Sequence, residues 1–131
     1  MRKIIATILF ISATSNLSYA AEKLISLNKL DINNNKHYST ILARCSAIEV
    51  TELSLDDPNP DKKFNDMGRL IKENSKFIKF KIPGKSKADD ARNAIRLHEY
   101  YVLEYQKTLN KNFISGDRSF CTKIKKKLFS E

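Results

Sequence analysis

The chain has 131 residues, 41% of them hydrophobic and 30% charged, with a formal net charge of +9. That length suits one domain around a modest core, and the basic balance favours encounter with anionic partners without naming one. Only three glycines and three prolines occur, and the prolines stand at 58, 60 and 83, between periodic segments, so the elements read as helices.

Arg2 and Lys3 lead into the apolar run Ile4 to Ile11, and Ser18, Tyr19 and Ala20 put small residues at the two positions that a signal peptidase reads. Residues 1–20 are therefore expected to be a secretory signal that is cleaved. The apolar run of about eight residues is too short for a transmembrane anchor, which needs roughly 20. No cysteine follows closely enough for a lipobox, so the product is expected to be unanchored and either periplasmic or secreted. Cleavage would remove two basic residues and no acidic ones, leaving 22 against 15 and a net charge of +7.

Residues 21–35 read as an irregular lead-in, with Leu24, Leu27 and Leu30 in a short apolar pattern before the turn-forming cluster Asp31 to Asn35. A single helical domain is expected over 36–131. In its first helix, Tyr38, Ile41, Cys45, Ile48, Thr51 and Leu55 recur in steps of three and four and should share one face. Pro58 and Pro60 end that helix.

Asp61 is a candidate cap for the second helix, whose inward stripe reads Phe64, Met67, Ile71, Asn74 and Ile78, to about residue 80. Residues 76–82 are ambiguous, because Ile78, Phe80 and Ile82 alternate with lysines at a strand period; helix is favoured, since a lone strand would leave its backbone groups without partners. Ser86 and Asp89 resemble a capping box for the third helix, with the stripe Ala88, Ala91, Ile95, His98, Val102, Tyr105 and Leu109. Asn110 to Asn112 and Ser115-Gly116 interrupt the pattern. Asp117 is then read as the cap of a fourth helix that turns Phe120, Cys121, Ile124 and Leu128 inward.

Short connections make successive helices antiparallel, so the expected fold is an all-α, four-helix up-down-up-down bundle. The first and last helices then lie side by side. Cys45 and Cys121 both fall on inward positions of an exported chain, and a disulfide between them is expected. Closing so long a loop contributes about 4.5 kcal/mol by the chain-entropy estimate.

Catalytic and metal-binding motifs fail on spacing. His98 lacks the glutamate three residues earlier that a carboxylate-bridged metal bundle needs, because Ile95 stands there, and Val102 breaks the zinc pattern His-Glu-x-x-His. His98 is read instead as a core histidine bonded to a tyrosine or a backbone carbonyl. Asp57, Asn59 and Asp61 begin like a calcium loop, but Lys62 and Gly68 occupy its glycine and glutamate positions. Cysteines 76 positions apart exclude covalent haem attachment and thioredoxin-like chemistry. No cofactor and no metal site is assigned, and the chain is read as a non-enzyme.

Surface binding remains. Lys123, Lys125, Lys126 and Lys127 close the fourth helix and are candidates for anion binding, with Lys76, Lys79, Lys81, Lys85 and Lys87 clustered at the second corner; the competing reading is that they complement a helix dipole and aid solubility. Few aromatics interleave with them and lysine predominates over arginine, so specific nucleic-acid recognition is not expected. Tyr100 and Tyr101 are candidates for an interface. The leading expectation is a non-catalytic binding or structural protein of the cell envelope, whose partner is another envelope protein or an anionic surface. The alternatives are a ligand- or metal-binding or catalytic bundle using His98 and the neighbouring tyrosines, and a protein that holds anionic lipid or polymer on its lysines.

Overall fold

A computed structural model describes residues 24–78, 87–108 and 110–130. The four helices are α1 (Asn35–Thr51), α2 (Pro60–Ser75), α3 (Lys87–Lys107) and α4 (Lys111–Phe129), preceded by one 3-10 turn at Leu27–Lys29. The described residues contain no strand. None of these helices is long and apolar enough to cross a membrane.

The start signals are local chemistry. Asn34 caps α1 by accepting from the Lys36 and His37 amides at 3.0 and 3.4 Å, which satisfies donors that the first turn cannot pair internally. At α2 the expectation is corrected: Asn59 occupies the cap position, Pro60 is the first helical residue and Asp61 lies within the first turn. Proline loses nothing there, because its missing N–H would have no helical acceptor, and Asp61 suits the positive end of the dipole. Ser86 lies outside the described residues, so the capping box is left with Asp89, which pairs with Arg92 at 2.5 Å in the first turn of α3.

The fourth helix departs furthest from expectation. Asn110 caps it by accepting from the Phe113 amide at 3.2 Å, and α4 then runs unbroken through Ser115 and Gly116. Both are exposed, so the cost is one of propensity, about 1 kcal/mol for the glycine, and tertiary contact outweighs it. Asp117 is thus no cap but a buried residue inside the helix.

Helix α1 is the hub, packing against each of the other three. Every residue from Ile41 to Glu49 is buried, so the expected single inward stripe becomes a helix covered on all sides, with small Ala43, Ser46 and Ala47 where neighbours approach. Its direction alternates with its partners as an up-down-up-down bundle requires. Ser39, near the start of α1, meets Asn74, near the end of α2. Thr51 and Glu52 flank a cleft with Tyr105 and Gln106 of α3, so α1 and α3 run in parallel. Tyr38 sits beside Ile124 and Leu128, so α4 returns.

Covering α1 from several sides rotates the buried faces of its neighbours. Leu55 lies beyond the end of α1 and is fully exposed, Phe64 and Ile95 are each nearly half exposed, and the core positions are Leu70 and Asn74 of α2 and Ala94, His98 and Tyr105 of α3. Helix α2 ends at Ser75, short of the expected 80, where the Asn74 carbonyl accepts from both Phe77 and Ile78. Residues 79–82, where helix and strand compete in the sequence, lie outside the described residues.

Cys45 and Cys121 form a disulfide linking the first and last helices, with Cα atoms 5.3 Å apart. Beside it lies a buried ion pair that also secures the lead-in. Arg44 donates from Nη2 to Asp117 Oδ2 at 2.5 Å, from Nε to the Tyr105 hydroxyl at 2.9 Å and from Nη1 to the Ile25 carbonyl at 2.6 Å. Tyr105 in turn donates to Asp117 Oδ2 at 2.6 Å, and the Leu27 amide donates to Asp117 Oδ1 at 2.9 Å. Burial, with Asp117 reinforcing it, pushes the Tyr105 phenol far above its ordinary range although Arg44 pulls the other way. A buried charge pair is tolerated only when its hydrogen-bonding groups are satisfied in this way.

Candidate binding groove

A groove of about 700 Å³ opens between the first turns of α1, the chain leaving α2 and the middle of α3. Asn35, Lys36, Ser39 and Thr40 form one wall, Phe77 and Ile78 the end, and Asn93, Arg96, Leu97, Tyr100 and Tyr101 the other wall. Each wall follows from helix period: Lys36, Ser39 and Thr40 are one turn apart, as are Arg96 and Tyr100 and, beside them, Leu97 and Tyr101. A volume of this order falls in the range of small-molecule sites.

Tyr100 and Tyr101, the sequence-derived interface candidates, meet here with ring centroids 5.0 Å apart and planes 71° apart. Tyr100 is half exposed and Tyr101 more deeply set. Burial holds the Tyr101 phenol above its usual range, although a hydrogen bond with Thr40 and the Arg44 charge act against it. At the α2 end, Phe77 stacks edge-on to Tyr38 at 4.7 Å, which fixes the end wall.

The electrostatics are one-sided. Lys36 and Arg96 line the groove, no Asp or Glu does, and the first turn of α1 carries no acidic residue. Neither cation has a carboxylate partner among the described residues.

The candidate lysines are divided by the fold. Lys123, Lys126 and Lys127 are exposed along α4, whereas Lys125 turns inward to ion pairs with Glu49 and with Asp66 at 3.0 Å. Burial alone would lower the Lys125 ammonium, but the hydrogen bonds to Glu49 and Asp66 outweigh it and hold the group above its ordinary value. Burial would likewise raise Asp66; hydrogen bonds from Lys125 and Lys62 reverse that and hold the carboxyl low. Lys125 is therefore taken up inside the bundle and does not face an anion in solution. Lys76 pairs with Glu73 at 2.7 Å, and Lys79, Lys81 and Lys85 lie outside the described residues.

His98 is buried, as its reading as a core histidine requires, but its partner is Ser46, with Nδ1 2.8 Å from Oγ. The Ser46 hydroxyl also lies 2.7 Å from the Ala43 carbonyl, which can accept from it. Burial holds the imidazole below its usual pKa, only partly opposed by Glu99. Ser46 is fully buried, so this serine and histidine cannot meet a substrate from solution. Among the described residues no group of three or more His, Cys, Asp or Glu side chains is placed to hold a metal ion.

Sequence reasoning missed Arg44, Asp117, Lys36 and Arg96. For the first two a signal existed: Arg44 adjoins Cys45, and Asp117 precedes Cys121 by one helical turn, so pairing the cysteines brings the two charges together. Nothing in the sequence distinguishes Lys36 and Arg96 from other basic residues. Comparison of the chain with protein-family models, with curated proteins and with solved structures finds no match in any of the three.

Proposed function

We propose that this is an exported, non-catalytic binding protein of the cell envelope that takes its partner in the groove between α1 and α3. The observation that carries this reading is a contrast between like side chains. Inside, Arg44, Asp117, Tyr105, Ser46 and His98 are taken up by one another. In the groove, Lys36, Arg96 and Tyr100 face solvent, and no acidic residue lines it among the described residues. The disulfide and the buried ion pair fasten α1, which forms one wall, to α4, and a wall held in place lowers the ordering cost of binding. Export rests on the leader pattern of residues 1–20 and accords with a disulfide, a bond that persists in oxidising compartments.

The test is site-specific photocrosslinking in cells, with the probe at position 100 and a control at Asp61, an exposed residue at the other end of α2. Position 100 should give discrete adducts that disappear on Arg96→Glu, and the exported chain should begin near Ala21. Equal labelling from both positions, or adducts indifferent to Arg96→Glu, would remove the reading.

A further inference from the structure

The groove combines two chemistries that seldom serve the same ligand. Its end and its α3 wall present apolar surface through Phe77, Ile78, Leu97 and the rings of Tyr100 and Tyr101, while its only charges among the described residues are Lys36 and Arg96. A neutral apolar ligand would leave both cations unused, and a small hydrated anion would leave the apolar walls wet. Charge complementarity and apolar area are both answered by one kind of molecule, an anion on a hydrocarbon body.

We propose that the groove binds a single-chain fatty acid, with the hydrocarbon against Phe77, Leu97 and Tyr100 and the carboxylate held by Arg96 and Lys36. Arginine is suited to that head group, because its planar fork donates two parallel hydrogen bonds to a carboxylate, and lysine adds a mobile second charge. The start of α1 lies in the same wall with its positive dipole end and no acidic residue in its first turn, which favours an anion further. Two cations on facing walls of one groove match one head group held between them. This inference rests on the groove being the protein's binding site, as proposed above.

The experiment is titration calorimetry of the oxidised, exported chain with dodecanoate below its micelle concentration, alongside dodecanol and acetate. Dodecanoate should bind with one-to-one stoichiometry, dodecanol about tenfold or more weakly, and acetate not measurably, as the loss of a charge-assisted hydrogen bond or of the apolar contact would dictate. Arg96→Gln should weaken dodecanoate about tenfold and leave dodecanol unchanged, and Leu97→Asn should weaken both. Unchanged melting curves for Arg96→Gln and Lys36→Ser show that the fold is intact. Equal affinity for dodecanoate and dodecanol, indifference to Arg96→Gln, or no binding of dodecanoate would overturn the proposal. If dodecanoate fails while crosslinks from position 100 persist, the fatty-acid inference falls and the groove remains the binding site; if both fail, both readings fall.

Discussion

Two arginines on neighbouring helices divide this molecule. Arg44 in α1 is almost fully buried and meets a carboxylate, a phenol and a backbone carbonyl; Arg96 in α3 is exposed in a groove without an acid. The same guanidinium serves cohesion in one place and stays exposed to solvent in the other. The difference lies in what the neighbouring element supplies. Helix α4 carries Asp117 to Arg44, whereas Arg96 faces Lys36, Ser39 and Thr40 across the groove.

If the inner region is structural, its disruption should unfold the protein while the outer one changes only binding. Reducing the disulfide should have the largest effect, about 4.5 kcal/mol by chain entropy, a melting temperature roughly 10 °C or more lower by calorimetry. Asp117→Ala should cost about 3–5 kcal/mol in urea unfolding, because it strands a buried guanidinium. The double substitution Arg44→Met with Asp117→Leu should cost less than that single change, since no buried charge remains unpaired. A double change that costs the sum of the two singles would show that the pair does not act as a unit.

The inner region also contains a pH response. His98 is held neutral by burial, so the folded chain binds its proton less readily than the unfolded one, whose imidazole titrates near 6.5. The unfolded state therefore binds more protons, and stability should fall as pH drops below about 6.5. Urea midpoints at pH 7.5 and 5.5 should differ for the native chain, and the difference should shrink for His98→Asn. Asp66 adds a second loss at lower pH: its carboxyl is held low in the fold, so its contribution is present above about 3.9 and disappears as acid protonates it.

The smallest expected effects sharpen the comparison from outside. Gly116→Ala should stabilise the chain by about 0.5–1 kcal/mol, because an added Cβ meets nothing within 4 Å and the helix gains propensity. Lys36→Ser and Arg96→Gln should shift stability by no more than about 0.5 kcal/mol, as surface changes do. A groove substitution that costs as much as Asp117→Ala would erase the distinction between the two regions.

Much of the scaffold was legible because helix period and end chemistry are local. The steps of three and four, the prolines at 58 and 60 and the two inward cysteines lead to four helices and a cross-link between the outer two. The faces were harder. A stripe search assumes one buried side per helix, but α1 is covered on several sides, which turned Phe64 and Ile95 outward. Asp117 shows the same limit, since an aspartate after Ser-Gly reads as a cap until a buried arginine is found opposite it. Of the groove, only Tyr100 and Tyr101 were anticipated, because an extra aromatic beside a helix stripe is visible in one segment while its facing wall is not.

Alone, the order of residues determined the helical class, the approximate ends and the cysteine pairing, all of which follow from spacing along the chain and from how each residue type biases its own backbone. Only tertiary packing decided which charges cancel. Arg44 and Asp117 are 73 positions apart and Lys36 and Arg96 are 60 apart. Whether a cation meets a carboxylate or another cation depends on the rotation of one helix about its neighbour, and that rotation is set by the whole core at once.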